Sequence, residues 1–295
     1  MQTPGRRPLR RVLVVLPARD AASTLDAQLA ALSAQDCPLP HVVVVVDDQS
    51  RDATAEIARS WAERDRRIQL KTAQSGGHAS SRNFGTAGAL AGDLVAFCDA
   101  DDVVAEGWLA ALVRAAADAD VVGGRLELEL LNPPRVRRWR DVGTHDLGDH
   151  LGTPYAVTAN LAVRAEALAL LGGFDPHFDQ GGADVDLALR TANSGLRTVF
   201  APEAVVHYRL RDDHKGLRAQ ARRYGRSTVR LAVRHRDGGL PWPRRREPVR
   251  AWAEIAVLGL GYPLLDPVGR ARWQWRLSHR VGRAQESWHR RVLHL

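Results

Sequence analysis

Three carboxylates fall within four residues at Asp99, Asp101 and Asp102, with Ala100 between the first two. They end an apolar run, residues 94–98, that itself follows a turn signal at Gly92 and Asp93. Like charges that close repel and raise one another's pKa. A hard divalent cation with oxygen ligands, shared with phosphate, relieves that repulsion. The plain alternative is an acidic turn that faces water. A second acidic pair, Asp47 and Asp48, ends another apolar run at residues 42–46, and Asp52 and Thr54 then open a helix. A third acidic group, Asp184 and Asp186, sits at the start of a helical stretch that stops at Gly195. Asp186 and Arg190 are four residues apart, the spacing of an ion pair on one helix face.

Open α/β sheets place their ligands beyond the carboxyl ends of the strands. The acids therefore have to be delivered by buried strands. Residues 12–16 are a continuous β-branched and leucine run stopped by Pro17, the pattern of a strand buried on both faces. Asp20 or Ser23 can cap the helix that follows, through Gln28 to Leu32. Strands follow at 42–46, 68–72, 94–98 and 120–130, the last long, with helices at 54–61, 79–90 and 106–117 between them. That alternation predicts a doubly wound α/β sheet. Residues 132–152 form a long surface loop containing Trp139, His145 and Asp146. A strand at 155–163, helices at 164–171 and 183–193, a strand at 197–200 and a short segment ending at Tyr208 complete this part.

Composition bounds the rest. The chain has 295 residues, 45% hydrophobic and 26% charged, enough for one large or two small domains with a core. Its two cysteines, Cys37 and Cys98, give neither a disulfide framework nor zinc spacing, which suits a reducing compartment. The basic start, residues 1–10, reads as a disordered leader. The apolar run after it is too short for a signal peptide. No run reaches the roughly 18 apolar residues of a membrane span. A cytoplasmic protein, soluble or peripheral on the inner face of the cell membrane, is the expectation. The net charge of +8 lies mainly in the last third. Residues 215–236 read as an amphipathic Arg-rich helix with Leu217, Ala221, Tyr224, Thr228 and Leu231 recurring on one face. A proline-containing linker, 238–248, and a second helical region rich in Trp and Arg follow.

Four blocks, in order, resemble family 2 inverting glycosyltransferases. The first is Val14 to Asp20 followed by Leu25. The second is Val46-Asp47-Asp48-Gln49-Ser50-Arg51-Asp52-Ala53-Thr54. The third is Ser81-Arg82-Asn83-Phe84-Gly85 running into Asp99-Ala100-Asp101-Asp102. The fourth is Gly172-Gly173-Phe174-Asp175, then Ala183-Asp184-Val185-Asp186, then His207. The resemblance covers residues 11–208. It implies a GT-A fold, a Rossmann-like doubly wound mixed sheet, here with a helical extension at 209–295. It implies donor binding over about 11–104 and an acceptor side over about 105–208.

It also implies roles. A nucleotide-diphospho-sugar donor would be held by Pro17, Ala18, Asp20, Asp48, Arg82, Asp99, Ala100 and Asp101. Mn²⁺ or Mg²⁺ would bind Asp101 and His207, with Asp102 as the alternative ligand. Asp184 would be the catalytic base, its carboxylate kept ionised by the helix N-terminus. The family usually shows Glu-Asp where this chain has Ala183-Asp184. Trp139, Asn160 and Asp186 are the acceptor-side candidates. The acceptor would be a glycan, a lipid-linked or a small molecule, in cell-envelope or other glycoconjugate synthesis.

Three other readings compete. A nucleotide-sugar-binding protein without transfer is suggested by Ala183. A nucleotidyltransferase also uses such a sheet, but no glycine-rich phosphate loop follows the first strand. Nucleic-acid binding rests on charge alone, and no nucleic-acid partner is expected. Trp242, Trp252, Trp273, Trp275 and Trp288, set among arginines, suit an interfacial helix on anionic lipid. An ordinary basic helical subdomain is the plain alternative.

Overall fold

The computed structural model describes residues 7–74, 76–236 and 246–292, with backbone alone at 246–249. In chain order the elements are β1 (Arg11–Ala18), α1 (Leu25–Ser33), β2 (His41–Asp47), α2 (Thr54–Arg64), β3 (Ile68–Thr72), α3 (His78–Gly85), β4 (Asp93–Cys98) and β5 (Val103–Val104). Then come α4 (Trp108–Ala115), β6 (Val121–Glu127), α5 (Pro134–Arg137), β7 (Gly148–His150), β8 (Thr153–Tyr155), β9 (Asn160–Arg164), α6 (Ala165–Leu171), α7 (Ala183–Asn193) and β10 (Thr198–His207). The last helices are α8 (His214–Arg234), α9 (Arg246–Leu260) and α10 (Pro267–His289). The chain forms two compact units. The first is 1–130, 143–179 and 183–209; the second is 131–142, 180–182 and 210–295.

The first unit is built on an eight-stranded sheet in the order β3-β2-β1-β4-β9-β6-β10-β5. β1 pairs in parallel with β2 and β4, and β2 with β3. β9 runs antiparallel between β4 and β6, and β10 is parallel to β6. This is the mixed α/β sheet expected. Its parallel strands all end on one edge, at Ala18, Asp47, Thr72, Cys98, Glu127 and His207. The Val and Leu runs of β1, β2 and β4 are shielded on both faces because helices cover both. Phe97 and Trp108 are fully buried beside them.

Several boundaries differ from expectation, each for a local reason. Neither Asp20 nor Ser23 caps α1; Thr24 stands at its N-cap, and Asp20 Oδ1 accepts instead from Arg51 N at 2.8 Å. α3 ends at Gly85, short of residue 90, with Gly88 at φ +101° just beyond it. The loop 132–152 contains α5, and its far end enters the β7–β8 hairpin. Thr198–His207 form one strand, where two segments over 197–208 were expected, because a register shift between Ala201 and Val205 absorbs the break. The two-residue β5 was not expected. It pairs Val103 with His207 and Val104 with Val206.

The second unit is helical. α8 and α10 pack through glycines: a Cβ on Gly225 would overlap His279 O, and one on Gly282 would overlap Arg222 O. Glu286 accepts from Arg230 Nε at 2.9 Å and Arg290 Nε at 2.7 Å. Burial alone would raise its pKa, but those two guanidiniums bring it below the usual carboxylate range. The buried residues of α8 are Leu217, Ala221, Gly225, Ser227, Val229, Leu231 and Ala232; Leu217, Ala221 and Leu231 lie on the face expected, whereas Tyr224 is exposed and Thr228 half-buried.

Candidate active site

The edge where the parallel strands end carries the acids. β2 delivers Asp48, which is 5% exposed. Its Oδ2 accepts from Gly77 N at 3.0 Å, and Arg19 Nη1 stands 3.9 Å away. Its Oδ1 is buried with no hydrogen-bond partner among the described residues. A buried acceptor without a donor is costly unless a ligand supplies one. Pro17 and Ala18 end the neighbouring strand, and Ala18 O accepts from Asp48 N at 2.8 Å. Asp20 lies in this loop pair at φ +49°, bracing it through Arg51 N and Ser50 Oγ.

β4 delivers the second acidic group. One carboxylate oxygen from each of Asp99, Asp101 and Asp102 lies within 4.8 Å of the others. Gln28 of α1 holds this turn by its backbone: Nε2 donates to Asp99 O at 3.0 Å and Oε1 accepts from Val104 N at 2.9 Å. Arg209 closes it from the other side, with N donating to Asp102 Oδ1 at 2.7 Å and Nε to Asp101 O at 2.8 Å. Asp102 is 1% exposed, and its Oδ2 has no partner among the described residues. Burial, then Asp101 and Asp99, push its carboxyl well above the ordinary aspartate range. An all-oxygen set of clustered, partly unsatisfied carboxylates fits a hard divalent cation such as Mg²⁺ or Mn²⁺.

Arg82 meets this group from α3. It is 4% exposed, and its Nη2 donates to Asp99 Oδ1 at 2.7 Å. Its guanidinium lies 5.8 Å from the Phe174 ring centroid. Asp184, at the start of α7, is within electrostatic reach of both partners. Burial raises its pKa, Arg82 lowers it, Asp99 raises it, and the balance is upward. Desolvation outweighs the bond from Val185 N to Asp184 Oδ1 at 2.9 Å.

Four predicted positions stand differently. His207 does not join the three-carboxylate group; its Nδ1 pairs with Glu127 Oε2 at 2.6 Å. Asn160 is no acceptor contact: it is 1% exposed, accepts from Trp108 Nε1 at 2.8 Å and donates to Arg125 O and Ala204 O. Asp186 is also buried and makes the helix-face ion pair that its spacing offered, to Arg190 Nε and Nη2 at 2.9 and 2.6 Å, rather than an acceptor contact. Trp139 lies in the second unit, 6% exposed, with its ring stacked on His214 at 4.9 Å. One ring face is covered by His214, and at this burial little of the ring is left for a sugar. Conversely, Gln28 and Arg209 were missed. A glutamine inside the apolar stripe Leu25, Leu29, Leu32 was the available signal for the first.

The model of "Glycosyl transferase family 2" matches residues 13–166, more than half of the chain. The chain belongs to this family. That of "Glycosyl transferase family group 2" matches residues 94–269. A pre-mycofactocin glycosyltransferase of Mycobacterium tuberculosis is 32% identical over 263 residues, covering 85% of this chain and 54% of the relative. The chain thus spans about half the length of that protein. Among solved structures, the mannosyltransferase PcManGT from Pyrobaculum calidifontis, in complex with GDP-Man and Mn²⁺, superposes with TM-score 0.64. It is 23% identical and covers 96% of this chain and 91% of its own. S. aureus TarS 1-349 with UDP-GlcNAc superposes with TM-score 0.55 at 17% identity, covering 97% and 93%. At these identities the likeness is one of fold, the GT-A arrangement anticipated from the sequence.

Proposed function

We propose that the chain transfers a sugar, with inversion, from a nucleotide-diphospho-sugar to a hydroxyl acceptor. The observation that carries this is a set of three features: the unpaired Asp48 oxygen, the Asp99, Asp101 and Asp102 cluster beside Arg82, and the half-buried Asp184 within electrostatic reach of Arg82 and Asp99. Asp48 accepts a base N–H beside the ends of β1 and β2. Asp99, Asp101 and Asp102 would hold the divalent cation. A bound Mg²⁺ or Mn²⁺ supplies Lewis-acid stabilisation to the departing diphosphate. Arg82 holds the Asp99 carboxylate in place through Nη2 and offers positive charge near the diphosphate.

Asp184 takes the proton of the acceptor hydroxyl as its oxygen forms a bond to the anomeric carbon. The bond from that carbon to the diphosphate breaks on the opposite face, and the nucleoside diphosphate leaves. A raised pKa suits a general base, because the proton is better held as it transfers. Ala183 is 5% exposed, so the acid missing from the family's usual pair would sit in the interior. That supports Asp184 as the base and disfavours a protein that only binds donor.

The neighbours' ligands, GDP-Man with Mn²⁺ and UDP-GlcNAc, are of the donor class proposed here. The acceptor is a glycan, lipid-linked or small molecule in envelope or glycoconjugate synthesis. We also assign the second unit to an anionic membrane surface, the inner face of the cell membrane. It carries 24 Lys and Arg against 8 Asp and Glu, a net of +16, while the first carries 18 against 26, a net of −8.

The test is a thermal-shift screen of nucleoside diphosphates and nucleotide sugars, with and without Mn²⁺ or Mg²⁺. A ligand of the folded state raises Tm with its concentration over its affinity. A metal-dependent shift with one base, lost in Asp101→Ala, is expected. Equal shifts with and without metal would remove the cation from the donor site.

A further inference from the structure

The donor-side pair and the base sit on different segments. Arg82 and Asp99 lie on α3 and at the end of β4, whereas Asp184 opens α7, far along the chain. A link between them is visible in the segment 172–179. Asn83, next to Arg82 on α3, donates through Nδ2 to Phe174 O at 2.7 Å and accepts through Oδ1 from Phe174 N at 2.9 Å. One side-chain amide thereby satisfies both backbone groups of one residue. This needs a donor and an acceptor on the same short side chain, which asparagine has and aspartate does not.

The rest of the segment is shaped around that clamp. Gly172 and Gly173 both have positive φ, +73° and +76°, which glycine alone adopts without cost. A Cβ on Gly173 would stand 2.7 Å from Asn83 Oδ1. The Phe174 ring packs edge-on against Phe97 at 5.1 Å, two residues before Asp99, and beneath the Arg82 guanidinium. Five residues after Phe174, Asp179 makes a second tie to α3. Its Oδ1 accepts from Ser80 N and its Oδ2 from Ser80 Oγ, both at 2.8 Å. Asp184 follows five residues later.

We propose that Asn83 is a positioning residue for the transfer. By clamping Phe174 it holds the segment leading into α7, and so the base Asp184, in register with Arg82 and Asp99. This rests on Asp184 being the base. The chemistry explains why such a device is worth having: a displacement of about 1 Å of a reacting group costs on the order of 10²-fold in rate. Asp179 and Ser80 act as the second tie, and neither touches the reacting atoms in this scheme.

The test compares wild type with Asn83→Asp and the uncharged Asn83→Ser. Amide hydrogen exchange reads the clamp without turnover. Faster exchange is expected over 173–186 in both variants, with the amides of β4 unchanged. Unchanged exchange over 173–186 would overturn the proposal. Affinity for GDP and UDP with Mn²⁺ is measured by calorimetry, and nucleotide release from GDP-mannose and UDP-N-acetylglucosamine gives kcat. A fall in kcat of roughly 10²-fold at unchanged nucleotide affinity is the expected split. A parallel loss of nucleotide affinity would make Asn83 a part of the donor pocket and end the proposal. Asp184→Asn, run alongside, separates the two readings: full turnover there refutes the base, whereas its loss together with wild-type turnover in Asn83→Asp refutes the clamp alone.

Discussion

Burial pushes the Asp184 carboxyl above the ordinary aspartate range, while Arg82 pulls it down. Two consequences follow for Asp184→Asn. Donor binding stays and transfer falls by about 10²–10⁴-fold, the usual worth of a general base. The variant is also no less stable at neutral pH. A carboxyl whose folded pKa exceeds its unfolded one binds more protons when folded, so stability falls as pH rises through that interval. Removing the ionisable group removes that cost, and Tm at pH 7 is expected to hold or rise as activity is lost. The same direction sets the pH profile. The base works ionised, so kcat/KM falls as pH drops through the raised pKa, with an acid limb above that of an ordinary aspartate. Arg82→Gln, which deletes the opposing charge, moves the limb higher still. A limb near the reference aspartate value in the wild type would place the base elsewhere. At this scale the sequence was legible where acids end buried strands, as at Asp48, Asp99, Asp101 and Asp102. It was not legible where a partner from a distant segment decides the role. Asn160 meets Trp108, and Trp139 meets His214; neither partner is implied by the neighbouring residues.

At the scale of elements, apolar runs located β1, β2, β3, β4 and β6 and α2, α4, α6 and α7 to within a few residues, because each buries a face whose period is visible. The two-residue β5 has no such period. It exists because Gln28 and the end of β10 pin the chain after Asp102. α8 shows a different limit. Periodicity chose Tyr224 and Thr228, but the helix turns Gly225 and Val229 inward. Glycine scores poorly as a core residue, yet here it lets two backbones touch. The Cβ that alanine would add at Gly225 overlaps a carbonyl oxygen of α10, which cannot rotate away as a side chain would. Gly225→Ala is therefore expected to destabilise the second unit by about 1–3 kcal/mol, the usual range for overpacking. Helix propensity alone would have stabilised it by just under about 1 kcal/mol. Denaturant midpoints followed by tryptophan fluorescence give the sign. A midpoint raised by the substitution would mean that the helices do not meet at this glycine.

At the scale of the whole molecule, charge is divided between the units, −8 on the first and +16 on the second. No helix among the described residues is long and apolar enough to cross a membrane. The tryptophans expected at a lipid surface divide too. Trp273 donates to Ile255 O and packs on Tyr262, and Trp275 packs on Tyr224 beside Arg140. Trp242 lies outside the described residues, and Trp288 is 88% exposed. Besides Trp288, the exposed large apolar groups among the described residues of this region include Val257, Leu258 and Leu260 of α9 and Leu264 just beyond it, with 257, 260 and 264 spaced three and four residues apart. Arg270 donates to Pro263 O at this turn, so a cation flanks the leucines. Arginine beside outward leucine suits an interface of phosphate heads over acyl chains. Each basic residue near such a surface is worth about 1 kcal/mol, within a Debye length of roughly 8 Å at physiological salt. Binding to vesicles of phosphatidylglycerol with phosphatidylcholine should therefore weaken steeply with added salt and be absent on phosphatidylcholine alone. Leu260→Glu with Leu264→Glu should weaken it at every salt concentration, since it removes the inserted groups and adds repulsion. Sedimentation with vesicles measures both. Binding that follows salt but ignores the two leucines would make attachment purely electrostatic. Equal binding to duplex DNA with the same salt slope would show a cation surface without preference for lipid.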